Sequence, residues 1–119
     1  MTKVLVVEDN QLNMELVQDV LQSMGFTVHG AEKGNKAVEM AQKEKYDLII
    51  MDIELPDIDG IETTRLIRSR PEYKNTPIIA VTAFAMSGDR EKFIASGFDD
   101  YIPKPLDVNL FMKVIGKYK

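Results

Sequence analysis

Five short apolar runs punctuate this chain: VLVV at residues 4–7, FTVH at 26–29, LIIM at 48–51, IIAV at 78–81 and YI at 101–102. The first, third and fourth are apolar at every position. A strand with one wet face alternates apolar and polar side chains, whereas an uninterrupted run marks a strand covered on both faces, as in a parallel sheet. The second run alternates and the fifth is brief, as edge strands often are.

The longer stretches between the runs supply the covering helices. Leu12, Leu16, Val20 and Met24 recur every four residues beside Val17 and Leu21, between Asn10 as cap and Gly25 as stop. Ala37, Val38 and Ala41 give a weaker second helix. Ile61, Thr64, Ile67 and Arg68 give a third, which Pro71 ends. A fourth is predicted over 87–96, with Phe93 and Ile94 facing inward and Gly97 as terminator. Phe111, Val114, Ile115 and Tyr118 fall at i, i+3, i+4 and i+7 behind Asp107 as N-cap. Strand–helix alternation repeated five times predicts an α/β, three-layer sandwich with a five-stranded parallel sheet and right-handed crossovers.

Composition narrows the class. The chain has 119 residues, read as one domain over 1–119, and 45% of them are apolar. It has no cysteine, hence no disulfide or thiolate chemistry. No apolar run approaches the ~20 residues of a membrane helix, and Glu8 and Asp9 arrive too early for a secretory signal. A net charge of −4 without a basic run argues against direct nucleic-acid binding. A cytoplasmic location is expected.

In open parallel sheets the ligand crevice lies at the carboxyl ends of the strands. Those ends carry Glu8-Asp9, Asp52, Thr82-Ala83 and Lys104-Pro105. Three carboxylates gathered on one rim repel and resist full ionisation. A divalent cation removes the conflict, and hard oxygen ligands in small number suit Mg2+, which shares its shell readily with phosphate. Lys104 would add a fixed positive charge and Thr82 a hydrogen-bond donor. Such a set suits a phosphoryl group arriving at Asp52, because phosphoryl transfer is mostly positioning and electrostatics.

The ordered set VVEDN, MDIELPDIDG, AVTAFA and YIPKP, each following a predicted strand, strongly resembles the receiver domains of two-component response regulators. The resemblance covers essentially the whole chain. VEDNQLNMEL and TAFAM look closest to CheY-like single-domain regulators of the DivK type, and to receivers attached to hybrid histidine kinases. It implies a flavodoxin-like (βα)5 sandwich with strand order 2-1-3-4-5. It also implies a role for each rim residue. Asp52 matches the phosphoacceptor, and Glu8 and Asp9 match the acidic pair that holds Mg2+ with it. Glu54 matches a backbone-carbonyl ligand to the same ion. Thr82 matches the switch hydroxyl, Ala83 its small neighbour, Lys104 the phosphoryl-binding ammonium and Tyr101 the switch aromatic. A cis Lys104–Pro105 bond is implied as well. The implied partners are a histidine kinase or histidine phosphotransfer protein as donor. A downstream protein would be reached through the face of strand four, strand five and helix five.

Other residues read more plainly. Asp57 and Asp59 are expected to be solvated turn residues, His29 structural, and the seven methionines core filler. Phe84, Ala85 and Met86 form a candidate partner surface, with loop packing as the rival. Competing functions are a receiver excised from a larger protein and an aspartyl-nucleophile phosphohydrolase. For the latter, Glu54 stands where some such enzymes carry a second Asp, and no lid segment is evident. Nucleotide binding lacks its glycine motifs.

Overall fold

The computed structural model describes residues 2–83 and 89–118. Its strands are β1 (Lys3–Val7), β2 (Thr27–Ala31), β3 (Leu48–Asp52), β4 (Ile78–Thr82) and β5 (Asp100–Pro103). Its helices are α1 (Gln11–Ser23), α2 (Gly34–Lys43), α3 (Gly60–Arg68), α4 (Asp89–Ala95) and α5 (Val108–Gly116), with a 3-10 turn at Pro71–Tyr73. All neighbouring strands pair in parallel, in the order β2-β1-β3-β4-β5. This is the flavodoxin-like arrangement expected, with β2 and β5 at the edges. The candidate partner surface at 84–86 lies outside the described residues.

Strand alternation sorts the core into two layers. Val4, Val6, Leu48, Ile50, Ile79, Val81 and Ile102 face α1 and α5, meeting Val17, Leu21, Phe111 and Ile115. Leu5, Val7, Ile49, Met51, Ile78 and Ala80 face the other way, toward Ala37 and Ala41 of α2, Ile67 of α3 and Phe93 of α4. Both layers are buried, which explains why the central strands read as unbroken apolar runs. Asn10, Asp59 and Asp107 cap their helices by accepting the amides of Asn13, Glu62 and Leu110. Gly25 and Gly97 follow α1 and α4 at φ +93° and +102°, a left-handed conformation that costs side-chain-bearing residues energy.

Two helix faces differ from the sequence expectation. In α1 the buried residues are Met14, Val17 and Leu21, while Leu12 is 76% exposed and Leu16 also faces outward. In α4 Phe93 is buried but Ile94 is 45% exposed. Both helices carry more apolar positions than one buried stripe accommodates, and the sheet selects one set.

Arg68 stitches the end of the sheet opposite the candidate site. Its guanidinium donates to the carbonyls of Tyr73, Thr76 and Gly97 and to the Asp99 carboxylate, at 2.6 to 3.1 Å. Asp99 in turn accepts the amide of Ile78 at the start of β4. The side chain is only 19% exposed, so its loss strands several carbonyls. Arg68→Ala is expected to lower unfolding stability by about 3 kcal/mol, read from the urea midpoint. Chemistry at the distant rim should be unchanged per folded molecule.

Candidate functional site

Each rim residue occupies its place because its strand ends there. The amide of Glu8 continues the sheet by donating to Ala31 at 3.0 Å, which seats Glu8 just beyond β1. Asp52 is the last residue of β3 and lies in register with Val81 of β4. The Lys104 amide donates to the Thr82 carbonyl at 2.8 Å, fixing the ends of β4 and β5 together. The Lys104–Pro105 bond is cis. After Asp52 the chain folds back at once. The Gly60 amide donates to Ile53 at 2.9 Å, and Gly60 packs so closely that an added Cβ would collide with the Asp52 carbonyl oxygen.

The expected acids come together: carboxylate oxygens of Glu8, Asp9 and Asp52 lie within 4.8 Å of one another. Asp9 is exposed, whereas Glu8 and Asp52 are 3% and 1% exposed. Lys104 reaches in from the far side, its Nζ 3.0 Å from Asp52 Oδ1 and 3.7 Å from Glu8 Oε1. Asp52 Oδ1 also accepts the Glu54 amide at 3.0 Å. Asp52 Oδ2 is buried and has no hydrogen-bond partner among the described residues.

Burial dominates the electrostatics. It pushes the Glu8 carboxyl up to about 7, helped by the adjoining Asp52 and opposed by the Asn10 amide and Lys104. Burial also raises Asp52, against the stabilising contacts of Glu8, Lys104 and the Glu54 amide. For Lys104 burial acts downward, but the hydrogen bond to Asp52 and the charges of Asp52, Glu8 and Glu54 outweigh it, so its pKa lies above the ordinary lysine value. Two adjacent buried carboxyls and one ammonium leave an acid in excess. The donor set therefore fits a small divalent cation: three carboxylates, one of them with a buried oxygen that has no hydrogen-bond partner among the described residues.

The remaining expected residues are placed as follows. Thr82 is buried at the end of β4 and Ala83 is exposed beyond it. Tyr101 is half-buried in β5, its ring 5.7 Å from that of Phe93. Asp57 and Asp59 lie in the turn but are more than solvated loop residues. Asp57 accepts the amides of Gly34 and Asn35 at the start of α2, both at 2.9 Å, and these contacts hold its carboxyl down at about 2. His29 sits in β2 beside Tyr46 and Glu44, remote from the rim set.

Sequence reasoning missed one contact. The Glu54 side chain was not expected to touch Thr82 or Ala83. Its carboxylate in fact accepts the Thr82 hydroxyl at 2.8 Å and the Ala83 amide at 3.0 Å. The spacing of Glu54 from Asp52 offered no signal for this, because the contact depends on how the loop folds back.

A parallel sheet in this order with acids and a lysine at its carboxyl rim defines a receiver-type α/β protein. The response regulator receiver domain model matches residues 4–116, and the chain belongs to that family, which acts in two-component signalling. It is similar to the polar-differentiation response regulator DivK of Brucella anthropi, 41% identical over 115 residues that cover 97% of this chain and 94% of that one. The same regulator of Brucella ovis is 42% identical over 119 residues, covering 99% and 97%. Among solved structures, the receiver domain of the Pseudomonas aeruginosa sensor histidine kinase PA1611, with magnesium coordinated in its active-site cleft, is similar at 37% identity and a TM-score of 0.88, covering 98% of this chain and 96% of that one. Vibrio cholerae CheY4 is similar at 30% identity and a TM-score of 0.93, covering 100% and 99%. No helix among the described residues is long and apolar enough to cross a membrane.

Proposed function

We propose that Asp52 is the phosphoacceptor of a single-domain switch spanning residues 1–119, and that it takes its phosphoryl group from a phosphohistidine. The donor is a histidine kinase or a histidine phosphotransfer protein, met in the cytoplasm. The observation that carries this reading is the Asp52 carboxylate itself. One oxygen is fixed by Lys104 and the Glu54 amide, while the other is buried beside two more acids without a hydrogen-bond partner among the described residues. A buried carboxylate held in one orientation and short of cations is prepared for an electron-poor phosphorus.

Glu8, Asp9 and Asp52, with the backbone carbonyl of Glu54, would hold Mg2+. Bound there, the ion would supply the positive charge that the crowded acids and an incoming phosphoryl group require. The protein's own part follows from its geometry. Asp52 attacks phosphorus in line. As the O–P bond forms the P–N bond breaks, and its electron pair goes to the leaving ring nitrogen. With its other nitrogen protonated, the imidazole leaves neutral. Lys104 neutralises the transferred oxygens, and the Thr82 hydroxyl and Ala83 amide are donors within the same pocket. Attack by water on the acyl phosphate regenerates Asp52 and releases phosphate. The only turnover is the protein's own phosphorylation and dephosphorylation.

Phosphorylation then favours one of two arrangements of Thr82 and Tyr101, altering the β4–β5–α5 edge that meets a downstream protein. Incubation with Mg2+ and acetyl phosphate should add one phosphoryl mass to the intact chain. Asp52→Asn should add none, since an amide is not a nucleophile for this step. Equal labelling of the variant would move the acceptor elsewhere, and an unlabelled wild type would reject the reading.

A further inference from the structure

We propose that the Glu54 carboxylate is an internal anion that occupies the phosphoryl-recognition donors of the unphosphorylated protein and must be displaced before a phosphoryl group can be read. This rests on Asp52 as the phosphoacceptor, and it assigns that site a built-in competitor. Glu54 Oε2 accepts the Thr82 hydroxyl at 2.8 Å, and Oε1 accepts the Ala83 amide at 3.0 Å while lying 4.0 Å from Lys104 Nζ. These donors stand at the ends of β4 and β5, around the oxygen atoms that Asp52 would receive. A carboxylate presents two charged oxygens, much as one edge of a phosphoryl group does, and charge-assisted bonds of this kind are among the stronger ones.

The clasp can open without rearranging the chain. The Glu54 amide is tied to Asp52 Oδ1, and Gly60 closes the loop against the Asp52 carbonyl, so the backbone is fixed. The side chain is 30% exposed and has a path to solvent by rotation. Displacement therefore exchanges one anion for another at the same donors. The competitor slows acceptance and holds Thr82 and Ala83 in the arrangement of the resting state.

Three proteins decide the matter: wild type, Glu54→Ala and Glu54→Asp, the last keeping the charge on a side chain too short to span both donors. The first readout is the Ala83 amide resonance in 15N spectra recorded without divalent ion or phosphodonor. It should move in both variants, because the amide loses its carboxylate acceptor. The second readout is the rate of phosphoryl incorporation from acetyl phosphate with Mg2+. Both variants should react about tenfold faster, the worth of one charge-assisted hydrogen bond released before the transition state. An Ala83 resonance unmoved in Glu54→Ala would overturn the clasp. So would Glu54→Asp reacting at the wild-type rate while Glu54→Ala is faster, for charge alone would then explain the gain. If no protein takes a phosphoryl group, the acceptor reading fails, and the resonance still decides whether Glu54 holds the amide.

Discussion

Lys104→Met should slow phosphoryl incorporation at Asp52 by about 10²–10³-fold, the usual cost of removing one preorganised donor to developing charge. Nζ stands 3.0 Å from Asp52 with only 18% of the side chain exposed, so bulk water cannot replace it without opening the site. Its charge is also secure. The neighbouring acids hold its pKa above the ordinary lysine value despite burial, so the effect should persist across the neutral range. Methionine keeps much of the side-chain volume, which limits the change to charge and hydrogen bonding. The measurement is the initial rate of mass gain under saturating acetyl phosphate and Mg2+. A variant within threefold of wild type would remove Lys104 from the chemistry.

Glu8→Gln should stabilise the metal-free protein by about 3 kcal/mol at pH 8. The sign follows from a carboxyl raised from 4.5 to about 7 by burial and by Asp52. Between those values the folded chain keeps a proton that the unfolded chain has released. The favourable contribution is thus complete below pH 4.5, fades as pH rises toward 7, and is gone above it. Glutamine never ionises and escapes the loss. Urea unfolding at pH 4.5 and 8, without divalent ions, should show wild type weakening across this interval and Glu8→Gln weakening less, the buried Asp52 carboxyl contributing what remains. Added Mg2+ should restore wild type at pH 8 and leave the variant nearly unmoved, because one of the three carboxylates is missing. Asp57 acts oppositely and at lower pH. Its carboxyl, held at about 2 by the Asn35 and Gly34 amides, contributes stability above its ordinary pKa that is lost as pH falls toward 2.

The sequence was most legible where burial leaves no choice. Residues 48–51 and 78–81 read as two-sided strands because helices cover both faces, and the strand ends then named Glu8, Asp52, Thr82 and Lys104 without further help. Helix α1 was less legible. Leu12 and Leu16 continue as regular a stripe as Met14, Val17 and Leu21, and only docking on the sheet turns those two outward while Val20 packs against the core. Ile94 was misassigned for the same reason, Phe93 having taken the inward position. The Glu54 clasp was the least legible feature. It joins residues 28 and 29 positions apart in the chain, and its geometry depends on a loop folding back on a strand end, which no local pattern encodes. Asp57 shows the same gap: its partners, Gly34 and Asn35, lie on a different crossover.

The rim is assembled from four strand ends, and its only nearby ammonium among the described residues comes from the last of them. During synthesis the carboxylates at positions 8, 9 and 52 leave the ribosome well before residue 104. A nascent chain that has docked β1 and β3 therefore carries its acids without their counter-charge. On the function proposed above, Asp52 gains its counter-charge only when β5 takes its seat, so a chain cut short before that point would be a poor acceptor however much of its core had formed.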